Sequence, residues 1–246
     1  MTKHDLHLHT HHSDGTESIQ DMICAGVAMR LEVMGFSDHY IEGKHNWIDA
    51  FFKELNQCRF RDSIRILCGA EVRILRDGTL SIMEENIARL DFLLAEVDLP
   101  SFTVGEKMSK KEALNSLMEM MSAAAVNKNV TAFAHPFNWG RLAHGISPGD
   151  IDRPALKELA RLFATNDKYF EIMGNMWFWY PDIHPVEFTG MYREIVEIFA
   201  SENVKFCLGS DAHNIGGVGN LAWSLEMVKS CGIERLIIDP CIKYNI

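Results

Sequence analysis

What this chain lacks narrows its function before any motif is read. No apolar run approaches the roughly 20 residues that a helix needs to cross a bilayer. The N-terminal stretch has no apolar core of the kind a secretory leader carries, so a cytoplasmic protein without membrane association is expected. There is no Lys/Arg-rich block, and the formal net charge is −10. Such a surface repels nucleic-acid phosphates, which makes a nucleic-acid partner unexpected. No G-x-G-x-x-G follows the first strand-like segment, which removes the main support for a dinucleotide fold. None of the six cysteines (Cys24, Cys58, Cys68, Cys207, Cys231 and Cys241) forms a C-x-x-C pair. Reduced, mostly buried thiols are expected rather than disulfides. No Pro/Gly-rich linker or low-complexity segment divides the chain, so residues 1–246 are read as one domain.

What is present is an alternation of short apolar runs and amphipathic stretches. "HDLHLH", "VMGFSDH", "IRILCGAEVRIL", "DFLLAEVD", "VTAFAHP", "YFEIMGN" and "KFCLGSDAH" read as seven strands. Helical spacing follows in "SIQDMICAGVAMRLE", "NWIDAFFKELNQCRFRD", "MEENIAR", "KKEALNSLMEMMSAAAVN", "ALKELARLFA", "GMYREIVEIFASE" and "LAWSLEMVKSCG". Ser18 with Asp21, and Ser109 with Glu112, stand in capping-box positions. Asp77-Gly78 turns the third strand back on itself, and "RLIID" is expected to add a short terminal strand. Repeated strand–helix units predict a parallel α/β architecture.

In such folds function gathers at the carboxyl ends of the strands. Here those ends carry metal-ligand residue types repeatedly: His7 and His9, His39, Glu71, Asp98, His135, then Asp211 and His213. Residues two apart on a strand share a face, so His7 and His9 point one way, with Leu6 and Leu8 on the other side. Any one of these residues alone reads as an ordinary polar side chain. Their joint placement on six of the seven expected strand ends predicts a metal site. Imidazole and carboxylate together suit Zn²⁺, Mn²⁺ or Fe²⁺.

These segments resemble the motifs of the polymerase-and-histidinol-phosphatase (PHP) family. "DLHLHTHHSDG" resembles its first motif, "GFSDH" its second, "GAE" its third, "AHP" its His-Pro motif and "GSDAH" its last, in the family's order along almost the whole chain. The resemblance implies a distorted seven-stranded (β/α)7 TIM-like barrel with three divalent ions. It implies that His7, His9, Glu71 and Asp211 hold one ion, that Glu71, Asp98 and His135 hold a second, and that Asp14, His39 and His213 hold a third. The family usually has histidine at the position of Asp98; an oxygen ligand there favours harder ions such as Mn²⁺ or Mg²⁺.

The expected chemistry is hydrolysis of a phosphate ester by a metal-activated hydroxide, with Glu71 and Asp211 central to the site. A small anionic substrate is expected, such as histidinol phosphate, a nucleotide or another phosphomonoester, with a phosphotyrosyl protein as an alternative, acted on by a stand-alone enzyme with no evident partner protein. Arg141, Lys44 and His45 follow strand ends and are the candidate phosphate contacts, Arg141 foremost because guanidinium binds phosphate bidentately. Arg73, two residues beyond Glu71, is a weaker candidate. His184, in the loop after the sixth strand, is the candidate general acid, against an ordinary loop histidine. Glu171 is read as lining the barrel, and Asp5 as a barrel-interior residue. His4, His11, His12 and His144 carry no assigned role. The run Trp177 to Tyr180 reads as a lid or as packing beneath a loop. Two rival readings stand beside this one: an amidohydrolase-like enzyme acting on C–N or C–O bonds, and a metal-dependent binding module without turnover.

Overall fold

The computed structural model describes residues 3–40, 47–59, 63–99, 108–142 and 144–243. Eight strands form in chain order: β1 (His4–Leu8), β2 (Val33–Phe36), β3 (His39–Tyr40), β4 (Arg65–Ile74), β5 (Phe92–Val97), β6 (Ala132–Phe133), β7 (Tyr169–Met173) and β8 (Lys205–Gly209). The sheet runs β1-β2-β4-β5-β6-β7-β8, every named pairing is parallel, and β3 also pairs with β4. β2 and β3 are therefore two pieces of one strand path, interrupted at Ser37 and Asp38, and the barrel has seven positions. The connections are α1 (Ile19–Ala28), α2 (Trp47–Leu55), α3 (Glu84–Ile87), α4 (Lys110–Ala125), α5 (Arg153–Thr165) and α6 (Pro185–Ser201); α7 (Ala222–Cys231) and α8 (Pro240–Lys243) follow the last strand.

The helix starts follow local chemistry. The Ser18 hydroxyl accepts the Asp21 N–H at the start of α1, and Ser109 and Glu112 complete a reciprocal capping box on α4. Asp152 caps α5 by accepting the Ala155 N–H. α6 begins at Pro185, five residues before the expected Gly190, because Pro185 suits the first helical turn and His184 caps it. The expected terminal strand "RLIID" does not form. Glu234–Leu236 is a 3-10 turn, and a single bridge joins Phe206 to Ile237. The segment instead closes the lower end of the barrel: the Ile238 N–H donates to the Phe206 carbonyl at 2.9 Å, and its side chain joins the inner cluster.

That inner cluster shows how the barrel is filled. Leu6, Val33, Leu67, Phe92, Leu94, Ala132, Tyr169 and Cys207 pack together. Residues from all seven positions meet only inside the barrel, near the amino ends of the strands. Gly69 leaves room for the Phe92 ring, which a Cβ there would approach to 2.5 Å. A larger core lies between the sheet and the helices. Leu6 and Leu8 separate between these two cores, against the expectation of a shared face, because the β1–β2 register shifts between Asp5 and Leu8.

β1 and β8 close the barrel by an unusual seam. At its upper end the His9 N–H donates to the Ala212 carbonyl at 2.9 Å and the Ala212 N–H to the His7 carbonyl at 3.3 Å. Lower down, side chains replace the ladder. His4 Nε2 accepts the Leu208 N–H at 3.1 Å, and Asp5 Oδ1 accepts the Ser210 N–H at 2.9 Å. Asp5 Oδ2 also accepts the Gly219 N–H at 2.9 Å. Backbone donors at the seam thus find buried partners where strand pairing lapses. All six cysteines are free, and among the described residues no helix is long and apolar enough to cross a membrane.

Candidate metal centre

The interior face of each strand changes from apolar to ionisable on moving toward its carboxyl end. Side chains two apart share a face. Leu67 and Gly69 thus precede Glu71, Phe92 and Leu94 precede Glu96, Tyr169 precedes Glu171, and Cys207 and Gly209 precede Asp211. Above the apolar plug, five imidazoles and four carboxylates converge: His7, His9, His39, His135 and His213 with Asp14, Glu71, Glu96 and Asp211.

Glu71 is the hub. Its Oε2 lies 3.2 Å from His7 Nε2, 3.4 Å from His9 Nε2 and 3.1 Å from His39 Nδ1, while Oε1 lies 3.0 Å from His135 Nε2. Asp211 Oδ1 is 3.2 Å from His9 Nε2 and 3.5 Å from His7 Nε2. Asp14 faces the other side of the cluster, 3.2 Å from His213 Nε2, 3.6 Å from His39 Nε2 and 3.7 Å from His9 Nδ1. His135 and Asp211 have positive φ, 28° and 57°. Such backbone costs about 1–3 kcal/mol at a non-glycine residue, and both residues stand at the rim of the cluster.

Further side chains hold these groups in place. Glu171 accepts from His7 Nδ1 at 2.8 Å and from the His135 backbone N–H at 2.5 Å. Asp38 accepts the Thr10 N–H, the Thr10 hydroxyl and the Ser13 hydroxyl at 2.8, 2.9 and 2.7 Å, which fixes the loop that carries Asp14. Neither residue announces this in the sequence beyond being an acid inside a buried segment.

Burial opposes charge throughout, and the pairings overcome it. It favours neutral Glu71, yet His7 and His39 hold that carboxyl well below its ordinary range. Burial lowers His7, but Glu171, Glu71 and Asp211 raise it well above the ordinary imidazole value. His135 is lifted to about 9, against burial, by Glu71 and Asp211, and His213 to about 9 by Asp14 and Asp211. Asp211 is drawn down to about 2, against burial, by His7 and His9. Asp14 is likewise drawn well down, against burial, by His213 and His39. Glu96 is pushed up to about 8 by burial and then by the charge on Glu71.

The donor set fits divalent cations. Two ligands each about 2.1 Å from one tetrahedral ion stand about 3.4 Å apart, and the imidazole–carboxylate spacings here run from 3.0 to 3.9 Å. Both ring nitrogens of His9 are buried and make no hydrogen bond of acceptable angle, although three carboxylates surround them. A buried polar atom without a hydrogen bond needs another partner, and a cation is one that suits these neighbours.

Eight of the nine expected ligand residues meet in this cluster; Asp98 does not. It lies past the end of β5, with Oδ1 3.4 Å from an Arg73 guanidinium nitrogen. Glu96, two residues earlier, stands with His39 and Glu71 instead, its Oε1 3.9 Å from His39 Nδ1. The signal for it was a single acid within the apolar run "FLLAEV". Arg73 reaches the rim and also faces Glu96 at 3.7 Å.

The other expected residues are dispersed. Exposed His184 caps α6, its Nδ1 accepting the Val186 N–H at 3.3 Å, and it joins none of the clusters. Lys44 and His45 lie outside the described residues. Arg141 stacks on Phe178, 4.0 Å from the ring centre, and donates to the Phe178 carbonyl at 3.1 Å. It also lies 5.1 Å from the Trp179 ring, which in turn stands 5.5 Å from the His135 ring. The aromatic run is therefore split. Tyr180 is buried and donates its hydroxyl to the Phe137 carbonyl, Trp177 and Phe178 are exposed, and Trp179 borders the metal cluster.

Known proteins resemble this chain at two levels. By sequence, the chain is 31% identical over 176 residues to the DNA polymerase/3'-5' exonuclease PolX of Bacillus subtilis, a match covering 66% of this chain and 28% of that protein. The chain thus spans less than a third of the length of this relative. By structure, a histidinol phosphate phosphatase from Lactococcus lactis, solved with zinc, L-histidinol and phosphate, superposes with a TM-score of 0.70 at 21% identity, covering 94% of each chain. A chain of an archaeal ribonuclease P superposes with a TM-score of 0.52 at 12% identity, covering 99% of this chain and 96% of its own. The model of the PHP domain matches residues 5–175. This chain belongs to the PHP domain family.

Proposed function

We propose that the chain is a metal-dependent phosphoesterase and that its substrate is a small phosphomonoester. The observation that carries the reading is the position of Glu71, whose two carboxylate oxygens face four imidazoles between them at the mouth of the barrel. Glu71 would help to hold one ion with His7, His9 and Asp211 and a second with His135 and Glu96. Asp14, His39 and His213 would hold a third. Zn²⁺, Mn²⁺ or Fe²⁺ matches this mixture of nitrogen and oxygen ligands, with Mg²⁺ a poorer match. When bound, such ions supply an activated water and offset the charge of a phosphoryl group.

The remaining work falls to the chain's own residues. Glu171 holds the His7 ring with Nδ1 protonated, so that Nε2 offers its lone pair to the centre. Trp179 walls the His135 side, and Arg141 stands beyond it as a candidate for a phosphate oxygen. The net charge of −10 favours a small substrate over a long polyanion.

The test is a measurement of bound metal followed by turnover of a panel of phosphomonoesters and phosphodiesters with added Mn²⁺ or Zn²⁺. Metal-dependent monoester hydrolysis that disappears in Asp211→Asn and His7→Ala is the expected result. Hydrolysis confined to diesters would overturn the substrate assignment. The absence of ester hydrolysis by fully metallated protein would overturn the reading as a whole.

A further inference from the structure

Outside the barrel mouth, His11, His12 and Glu54 form a separate group of potential ligands. His11 and His12 lie in the loop after β1, three and two residues before Asp14, and Glu54 is the penultimate residue of α2. Both Nε2 atoms face one carboxylate oxygen: His11 at 3.2 Å and His12 at 2.9 Å from Glu54 Oε2. The rings lie side by side, with centres 4.4 Å apart.

Each ligand is oriented from behind. Glu54 Oε1 accepts the Ile19 N–H at 2.9 Å, which leaves Oε2 for the histidines. His11 Nδ1 lies 3.2 Å from the Glu17 carbonyl. A carbonyl only accepts, so this nitrogen carries the ring proton, and in the neutral ring Nε2 is a lone pair. That lone pair faces a carboxylate oxygen, so either a second ring proton or a metal cation lies between the two, and a divalent ion would serve both histidines at once. The His12 ring stands edge-on to the Phe51 ring, with centres 5.8 Å apart. A backbone carbonyl behind one imidazole and a backbone N–H behind the carboxylate is the outer support that metal-binding histidines and carboxylates receive.

We propose that His11, His12 and Glu54 form a peripheral site for an imidazole-preferring divalent ion, Zn²⁺ foremost, separate from the barrel centre. Two imidazoles and a carboxylate supply three of zinc's usual four ligands, and the half-exposed His11 leaves the fourth position to solvent. The ion would clip the loop that carries Asp14 to α2. This site does not depend on the phosphoesterase reading.

The experiment is equilibrium dialysis of the full chain against buffered micromolar free Zn²⁺, with zinc counted by mass spectrometry. Glu54→Gln keeps an acceptor for the Ile19 N–H, and it and His11→Ala are each expected to bind one equivalent fewer than the unsubstituted protein. Because Asp14 is close by, the pair Asp14→Ala and Asp14→Ala/His11→Ala is also compared, and the double variant is expected to lose one further equivalent. Anomalous scattering from crystals grown with Zn²⁺ is expected to place an ion between the two Nε2 atoms and Glu54. An unchanged count in the single variants overturns the proposal, as do equal counts in the Asp14 pair. A crystal peak without a lost equivalent in dialysis also overturns it, since that is binding at crystal concentration only.

Discussion

His7 Nδ1 lies 2.8 Å from Glu171 Oε1, deep in the barrel, with both side chains fully buried. Through this contact β7, which offers no residue to the metal cluster itself, sets the tautomer and angle of a candidate ligand on β1. The other oxygen of Glu171 holds the His135 backbone N–H, so one carboxylate supports two ligands. Glu171→Gln retains one acceptor but turns an amide donor toward either His7 or His135. Metal affinity should fall by about 10–100-fold, the usual effect of losing such support. Competition with a chromophoric chelator measures it; an unchanged affinity would show that packing alone orients His7.

Gly209 is the second support of that contact. A Cβ there would stand 1.9 Å from Glu171 Oε1 and 2.5 Å from His7 Cβ. Gly209→Ala should destabilise the fold by about 1–3 kcal/mol through overpacking and weaken metal binding with it. Gly190→Ala is the control, since nothing lies within 4 Å of its added carbon in α6. That change should stabilise by about 0.5–1 kcal/mol on helix propensity. Denaturant unfolding of both variants checks the contrast.

Glu96 and Asp98 make opposite predictions. Glu96→Gln should remove or strongly weaken one bound ion, because its carboxylate stands with Glu71 and His39. Asp98→Asn should leave the metal count unchanged, because its carboxylate faces Arg73 at the rim. Metal analysis of the two variants decides between them, and loss of an ion in Asp98→Asn alone would reverse the assignment.

Protons and cations compete for the cluster, and this sets a pH dependence. In the metal-free protein His135 and His213 are raised to about 9 from 6.5, and Glu96 to about 8 from 4.5. The folded state therefore holds more protons than the unfolded chain between these limits. The stability due to the two histidines is fully present below pH 6.5 and is lost as pH rises through about 9. The melting temperature of chelator-treated protein should fall over that window. That of metal-loaded protein should hold or rise, because binding displaces those protons. A metal-free melting temperature that rises across the window would contradict the charge arrangement.

Much of this was legible in the chain itself. The strand–helix alternation, the parallel architecture and the family all follow from short-range patterns. Eight of the nine expected ligand residues do meet in one cluster. The exception is instructive. Period-2 alternation places Glu96 and Asp98 on the same face of β5, and it cannot say which stands at the height of Glu71. That height depends on where β5 ends and on its register with β4, in which Arg73 pairs with Glu96.

Local pattern, then, determined that the strand ends carry metal-binding side-chain types and, outside the shifted β1, which side chains face inward, because side-chain direction repeats every two residues along a regular strand. Only the tertiary structure decided which of them meet. The closure of β1 on β8 gave His4 and Asp5 structural tasks as acceptors for seam donors. It brought Glu171 behind His7 across 164 residues of sequence. The folding of α2 against the first loop set Glu54 before His11 and His12, so the histidine run at the N-terminus divides between two sites. These relationships depend on strand stagger and on contacts distant in sequence, which no local spacing records.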